Sequence, residues 1–338
     1  SWFAYISKDE ECLLEDVLVT PKHSLSQQVH ERYLPKLLAH DPNRETNEHE
    51  INARNALFNI DGLGIAWYTH AQNDFVRDIS GGRPAMYKTI APPLNDFNFR
   101  DICANTASKA CFGHIRAASG TPITPVNNHP FVFGRHTIMH NGVVTDFVKI
   151  RRQVCELLDD DAFANILGST DSEHIAALYM TILTGGRGKT AWQEEYSVQD
   201  MKTALETAFA KIIELQRKAL GVQTAPANSL NVAATDGERL IAFRYRNSDV
   251  EVPPSLYVSD KAGVTLNRKY PDHPDEGIEN AFATKAVEEH GRHVIVASEP
   301  STYKKSEWTL VEKNMAVLVD GGYELVSIKV SLEDGSVV

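Results

Sequence analysis

Five short stretches carry residue types able to do chemistry: Asp61-Gly62-Leu63-Gly64-Ile65, Gly113-His114-Ile115-Arg116-Ala117, Asn128-His129-Pro130-Phe131, His140-Asn141-Gly142 and Ser169-Thr170-Asp171-Ser172-Glu173. Arg116 follows an apolar run, Cys111 to Ile115. A guanidinium there can reach into a cleft and hold a carboxylate through two N–H groups. A structural ion pair is the plainer use of an isolated arginine, but the Gly113-His114 pair before it points to a specific local geometry. His140-Asn141-Gly142 closes a second apolar run. A turn at Asn-Gly can aim a backbone N–H and a side-chain N–H at one point, and such donors stabilise an oxyanion by about 3–4 kcal/mol each. The same pair also makes an ordinary hairpin turn. Asp171 opens a helix, where its carboxylate either serves the helix terminus with Thr170 or meets an ammonium group of a ligand. Asn127, Asn128 and His129 before Pro130 read as a rigid polar loop, satisfied within itself or touching a ligand. Together these groups can hold an amino-acid head and an oxyanion beside it. A nucleophile is missing from the set, and the extreme N-terminus is the place to seek one.

Other patterns carry less. The third glycine slot after Gly62 and Gly64 holds Trp67, so the turn is not a dinucleotide fingerprint. Gly185 to Thr190 resembles a phosphate loop, but the first glycine position falls on Leu183 and a helix precedes it. The thirteen histidines show no HExxH spacing, and no metal or other cofactor is expected.

The elements that must position these residues follow from periodicity. Strands are expected at Trp2–Ile6, Gly64–Tyr68, Met86–Thr89, Ala110–Ile115 and His136–His140, the last ending in the Asn141-Gly142 turn. A short segment is expected over Leu13–Leu18. Helices are expected at His23–Leu38, Asn98–Ala107, Asp146–Leu158 and Asp171–Leu183. Ser197 opens a further helix, with Asp200 three residues on as in a capping box. Its apolar stripe, Met201, Leu205, Phe209, Ile212, Ile213 and Leu220, is core. Val232–Thr235 and Leu240–Tyr245 form a hairpin around Asp236-Gly237. Val294–Ala297, Trp308–Val311, Met315–Val319 and Glu324–Val330 complete a strand-rich C-terminal part. Asp41–Asn55 reads as a surface loop, and Arg246–Arg292 as a long irregular surface excursion. Strands, then helices, then strands joined by turns imply antiparallel sheets in a layered α+β fold. One domain over residues 1–338 is expected.

Composition narrows the partners. Of 338 residues, 42% are hydrophobic, enough for a real core, and the net charge is −11. That charge disfavours nucleic acid and anionic membrane surfaces. No apolar run approaches the ~20 residues of a membrane span, and no signal peptide is visible. Four cysteines, Cys12, Cys103, Cys111 and Cys155, without a CxxC pair read as reduced, mostly buried thiols of a cytoplasmic protein. The chain enters a strand-like run at Trp2, which suggests a terminus placed for a purpose.

In order and spacing, the five stretches resemble the class II glutamine amidotransferases, which are N-terminal-nucleophile hydrolases. The likeness is strong from residue 1 to about 185 and extends to Val296-Ala297-Ser298-Glu299-Pro300. The chain looks most like stand-alone amidotransferase subunits of fungal glutathione degradation, and is similar to the smaller γ-glutamyl amidohydrolases of ergothioneine synthesis. The resemblance implies a four-layer αββα sandwich. It implies that Arg116 holds the substrate α-carboxylate and Asp171 its α-ammonium. Asn141 and Gly142 would form the oxyanion hole, with His114, Asn128, His129 and His140 around the substrate. The family uses an N-terminal cysteine whose α-amine serves as base. Ser1 aligns with the residue after that cysteine, so a nucleophilic cysteine is expected immediately before Ser1; Ser1 itself as nucleophile is the rival. The expected activity is cleavage of the γ-glutamyl amide of glutamine, or of a γ-glutamyl peptide such as glutathione, alone or with a separate peptidase or synthetase subunit. A non-catalytic γ-glutamyl-binding subunit and a biosynthetic amidase acting on a γ-glutamyl-tagged metabolite are the alternatives.

Overall fold

The central strands are apolar on both faces, so each must be covered twice, and this sets the layering. The computed structural model describes residues 1–21, 23–29, 59–76, 80–118, 120–266, 290–302 and 305–332. In the N-terminal half the strands are β1 (Trp2–Ser7), β2 (Cys12–Leu13), β3 (Leu63–Thr69), β4 (Arg83–Thr89), β5 (Ala107–Ser108), β6 (Ala110–Ile115), β7 (Phe131–Phe133) and β8 (His136–Val143), with helices α1 (Leu14–Leu18) and α2 (Phe97–Asn105). Helices α3 (Phe147–Glu156), α4 (Asp160–Ala164), α5 (Asp171–Thr184) and α6 (Val198–Leu220) follow. The C-terminal part holds β9 (Ser229–Thr235), β10 (Leu240–Arg246), β11 (Tyr257–Ser259), α7 (Ala262–Leu266), β12 (His293–Ala297), β13 (Thr309–Leu310), β14 (Met315–Val319) and β15 (Leu325–Lys329).

Among the described residues, seven strands form one sheet in the order β13-β11-β12-β1-β6-β3-β4, and six form a second in the order β15-β14-β10-β9-β8-β7. All pairings are antiparallel. Alternation along β1 shows how the layers stack. Trp2, Ala4 and Ile6 meet Met139, Ala233 and Ala242 of the second sheet, while Phe3 and Tyr5 face Leu14, Leu18 and Phe99 of α1 and α2. On the far side of the second sheet, Ile241 and Phe243 pack on Tyr179 of α5 and on Met201 and Phe209 of α6. Three apolar layers therefore separate four structural ones, and the αββα sandwich is the fold.

Local signals explain most elements. Ser197 caps α6 by accepting from Asp200 N at 3.1 Å, and Gly221 closes it in the left-handed region. Asp236 holds the β9–β10 turn through Glu238 N and Arg239 N. Three expectations need correction. Of the helix expected over His23–Leu38, the described part, residues 23–29, has turns and one 3-10 turn, Gln27–Val29, with Leu25 and Val29 buried against the first sheet; the rest lies outside the described residues, as does Asp41–Asn55. Within residues 23–29 the apolar spacing serves packing rather than an α-helix. The Asn141-Gly142 pair is not a turn: β8 runs on to Val143, with Asn141 opposite Asn231 and Gly142 opposite Leu230. Arg246–Arg292 is not wholly a surface excursion, because Tyr257 is a fully buried strand residue paired with Ala297, and Ala262 and Leu266 of α7 are buried. Residues 267–289 of that stretch lie outside the described residues.

Burial also sets how the fold responds to acid. His23 and His136 are buried, and desolvation pushes both down to about 4. Their neutral forms belong to the folded state, whereas an unfolded imidazole titrates near 6.5. Stability is therefore full above pH 6.5 and falls as pH drops, by about 1.4 kcal/mol per pH unit for each imidazole between about 6.5 and 4. Urea denaturation should show the loss, and a His23→Leu variant should lose about 1 kcal/mol less per unit over that window.

Candidate active site

The first sheet brings its central strands to one end together. Ile115 N donates to Ser1 O (2.9 Å), and the Ser1 amine donates to Ile115 O (3.1 Å). On the other side, Trp2 N donates to Ser298 Oγ (3.0 Å) and Ser298 N donates to Trp2 O (2.9 Å). The start of β1 is thus clamped between β6 and the end of β12. A cavity of about 650 Å³ opens there, lined among others by Ser1, His114, Arg116, His129, His140, Asn141, Gly142 and Asp171. Of the site residues expected from sequence, Asn128 is the one outside it. Asn128 is fully buried and spends its amide N–H groups on Thr89 O (2.8 Å) and Leu63 O (3.5 Å). It ties the 128–131 loop to the first sheet.

Arg116 leaves the end of β6 with its backbone fixed: its N–H donates to Gly62 O (2.8 Å), and its carbonyl accepts from Asp61 N (3.0 Å). The side chain is only 5% exposed. Nη1 donates to Pro122 O (3.1 Å) and Nη2 to the Thr121 hydroxyl. Among the described residues, no carboxylate forms an ion pair with it, so the expectation of a plain structural ion pair is not met. A guanidinium has five N–H donors, so three remain. Burial lowers its pKa, opposed by the nearby carboxylates of Asp61 and Asp171, and arginine stays charged at neutral pH.

Asp171 is the first residue of α5, after the N-cap Thr170. Its Oδ2 accepts from Val144 N (2.7 Å) and its Oδ1 from Ser172 N (2.8 Å), with Ser172 Oγ 3.3 Å from Oδ1. The carboxylate is therefore both helix-terminal, as the plainer reading had it, and aimed at the cavity. His140 lies behind it, with Nδ1 at 2.9 Å from Ser172 Oγ and Nε2 at 3.0 Å from Ser229 O. A carbonyl only accepts, so Nε2 carries the proton. Gly142 lies in β8 with φ of +153°, and a Cβ there would stand 1.9 Å from Ser229 O. The glycine lets β8 and β9 stay paired beside the cavity.

His114 and His129 form the floor, with ring centroids 4.0 Å apart. His114 Nε2 lies 3.2 Å from His140 O, while His114 Nδ1 and both nitrogens of His129 are buried without a hydrogen-bond partner. Burial pushes both imidazoles well below their ordinary value; His129 lowers His114 further, and His140, Lys88 and Arg116 lower His129. They are neutral, so these two imidazoles add no charge beside Arg116 and Asp171.

Sequence reasoning missed several cavity residues. Thr121 had no signal beyond closeness to a motif, and Ser172 stood within the fifth stretch with no role attached. Ser298 and Glu299 stood in a stretch with no role attached; Glu299 accepts from Ser255 Oγ at 2.8 Å across the cavity. Ser255 lay within the supposed excursion. Among the described residues, no group of His, Cys, Asp and Glu could hold a metal, and no helix is long and apolar enough to cross a membrane.

The fold and the site define a class. The family model described as class II glutamine amidotransferases matches residues 50–335, and the chain belongs to that family. It is similar to the probable glutamine amidotransferase DUG3 of Saccharomyces cerevisiae, 28% identical over 271 residues, covering 77% of this chain and 70% of that protein. Among solved structures it shares its fold with a glutamine aminotransferase class-II domain protein from Silicibacter pomeroyi (TM-score 0.56, 20% identity, 98% of this chain and 99% of that one). It also shares the fold with the glutamine phosphoribosylpyrophosphate amidotransferase of B. subtilis (TM-score 0.51, 12% identity), where it covers 98% of this chain and 49% of the enzyme.

The strand geometry at Gly142 leads to a direct expectation. Gly142→Ala should lower folding stability by roughly 2–4 kcal/mol, from the close contact and the strained φ together. Its urea midpoint should drop accordingly. An unchanged midpoint would show that β8 and β9 need no glycine here.

Proposed function

We propose that this chain hydrolyses γ-glutamyl amide bonds, in glutamine or in a γ-glutamyl peptide such as glutathione. The observation that carries this reading is the pairing of opposite charges across one cavity. Arg116 has donors to spare and no carboxylate bound to it, and Asp171 stands opposite, at the N-terminus of α5. An α-carboxylate and an α-ammonium on one carbon match that pair, and Arg116 and Asp171 hold them respectively. The side-chain N–H of Asn141 and the backbone N–H of Gly142 stabilise the oxyanion formed at the γ-carbonyl.

The nucleophile in this reading is a cysteine immediately before Ser1. Strand alternation supports it. Trp2, Ala4 and Ile6 face the second sheet, and the position before Ser1 falls on the same face. Continuing the register from Trp2 opposite His114 sets that position opposite Arg116. Its thiolate attacks the γ-carbonyl, the C–N bond breaks, and the leaving amine takes a proton from the α-ammonium of the same cysteine. Water then adds to the thioester, the C–S bond breaks, and glutamate leaves. The size of the cavity, within the about 300–1,000 Å³ common for small-molecule sites, leaves room for a leaving group larger than ammonia. A separate peptidase or synthetase subunit that uses the product is the expected partner.

Two forms of the protein test the reading: one with cysteine as N-terminal residue before Ser1, and one beginning at Ser1. The first should release glutamate from glutamine or glutathione, and the second should bind L-glutamate without turnover. Glutamate release by the second form would move the nucleophile to Ser1, and release by neither would refute the hydrolase. In the active form, Arg116→Ala should raise KM roughly 100-fold, about 3 kcal/mol for removing one side of a buried charge contact.

A further inference from the structure

Asn127 belongs to the polar loop before Pro130 but not to the cavity lining, and its side chain joins the two halves of the site. It ends the 3-10 turn Pro125–Asn127 and is 1% exposed. Nδ2 donates to Pro122 O at 2.9 Å. That same carbonyl accepts from Arg116 Nη1 at 3.1 Å. On its other side, Oδ1 accepts from Ser169 N at 2.9 Å, two residues before Asp171. The Pro122 carbonyl needs a donor and the Ser169 amide an acceptor, so one orientation of the Asn127 amide serves both.

The Ser169 side is closely packed. A Cβ on Gly168 would lie 2.2 Å from Asn127 Oδ1 and 2.9 Å from Glu173 Oε2. Glu173 itself accepts from Leu167 N (2.9 Å) and Gly168 N (2.8 Å). Glu173 thus holds the 167–170 loop to its own helix, and Asn127 holds that loop to the acceptor of Arg116.

We infer that Asn127 is a positioning residue that sets the distance between Arg116 and Asp171, and so makes the site selective for ligands bearing an α-carboxylate and an α-ammonium on one carbon. The inference rests on the reading that these two residues grip the amino-acid head. A rigid link lets the second charge of the ligand bind without a further loss of freedom, and that advantage exists only for ligands carrying both charges. The link touches no ligand atom, so ligands with one charge do not draw on it.

Calorimetry with three probes separates this from general damage: L-glutamate carries both charges, glutarate lacks the ammonium, and 4-aminobutyrate lacks the α-carboxylate. Asn127→Asp keeps the acceptor for Ser169 N and loses the donor to Pro122 O. Asn127→Ala loses both, and Gly168→Ala displaces the amide from the other side. L-glutamate affinity should fall about tenfold in each folded variant, with glutarate and 4-aminobutyrate each changed less than threefold. An equal fall for all three probes, or an unchanged L-glutamate affinity, overturns the inference. Wild-type protein that binds L-glutamate no better than glutarate and 4-aminobutyrate, which each lack one charge of the amino-acid head, would instead overturn the reading of the grip itself.

Discussion

A buried cation, Arg116, that forms no ion pair among the described residues organises this site. Removing a guanidinium from water costs several kcal/mol unless hydrogen bonds and opposite charge replace the solvent. At Arg116 the replacement is partial: a carbonyl, a hydroxyl, and the more distant fields of Asp61 and Asp171. Everything near it holds that arrangement in place. Asp61 is fixed through Ala118 N at 2.7 Å, the Arg116 backbone bonds to residues 61 and 62 on the opposite strand, and Asn127 shares the Pro122 carbonyl. In the proposed reading, a ligand carboxylate completes that solvation.

The rest of the wall keeps the charge pattern simple. A protonated imidazole beside Arg116 would compete with it for a carboxylate and repel an ammonium. The adjacent, mutually tilted rings of His114 and His129 avoid this because burial keeps both neutral. His140 supports the opposite side, bridging Ser172 of α5 and Ser229 of β9. Arg116 and Asp171 therefore line one cavity beside imidazoles that stay neutral, an arrangement suited, in the proposed reading, to an amino-acid head.

Much of this was legible in the chain because the motifs lie at strand and helix ends, where the residue type and the local period identify both the element and the group it presents. Arg116 after β6 and Asp171 opening α5 are such cases. The failures were non-local. Asn-Gly usually turns, but at Asn141-Gly142 the pairing with β9 keeps the strand going and a positive φ absorbs the close approach of Ser229. Polar, proline-bearing sequence around Pro253 and Ser255 read as surface, yet β11 follows at once and fills a slot in the first sheet. The adjacent asparagines 127 and 128 could not be ranked, since only the neighbours each meets separate a tie to β4 from a bridge across the site.

The chain alone determined the class of residues available, the elements carrying them and the layered α+β fold, because periodicity and capping act over a few residues. Tertiary structure decided which of those residues converge. Arg116, Asp171, Asn141 and the start of β1 come from separate strands and a helix, and only sheet register and packing across more than a hundred residues bring them to one cavity. Interactions that span that much chain leave no local trace, so register, orphaned donors and the bridging role of Asn127 are properties of the folded molecule.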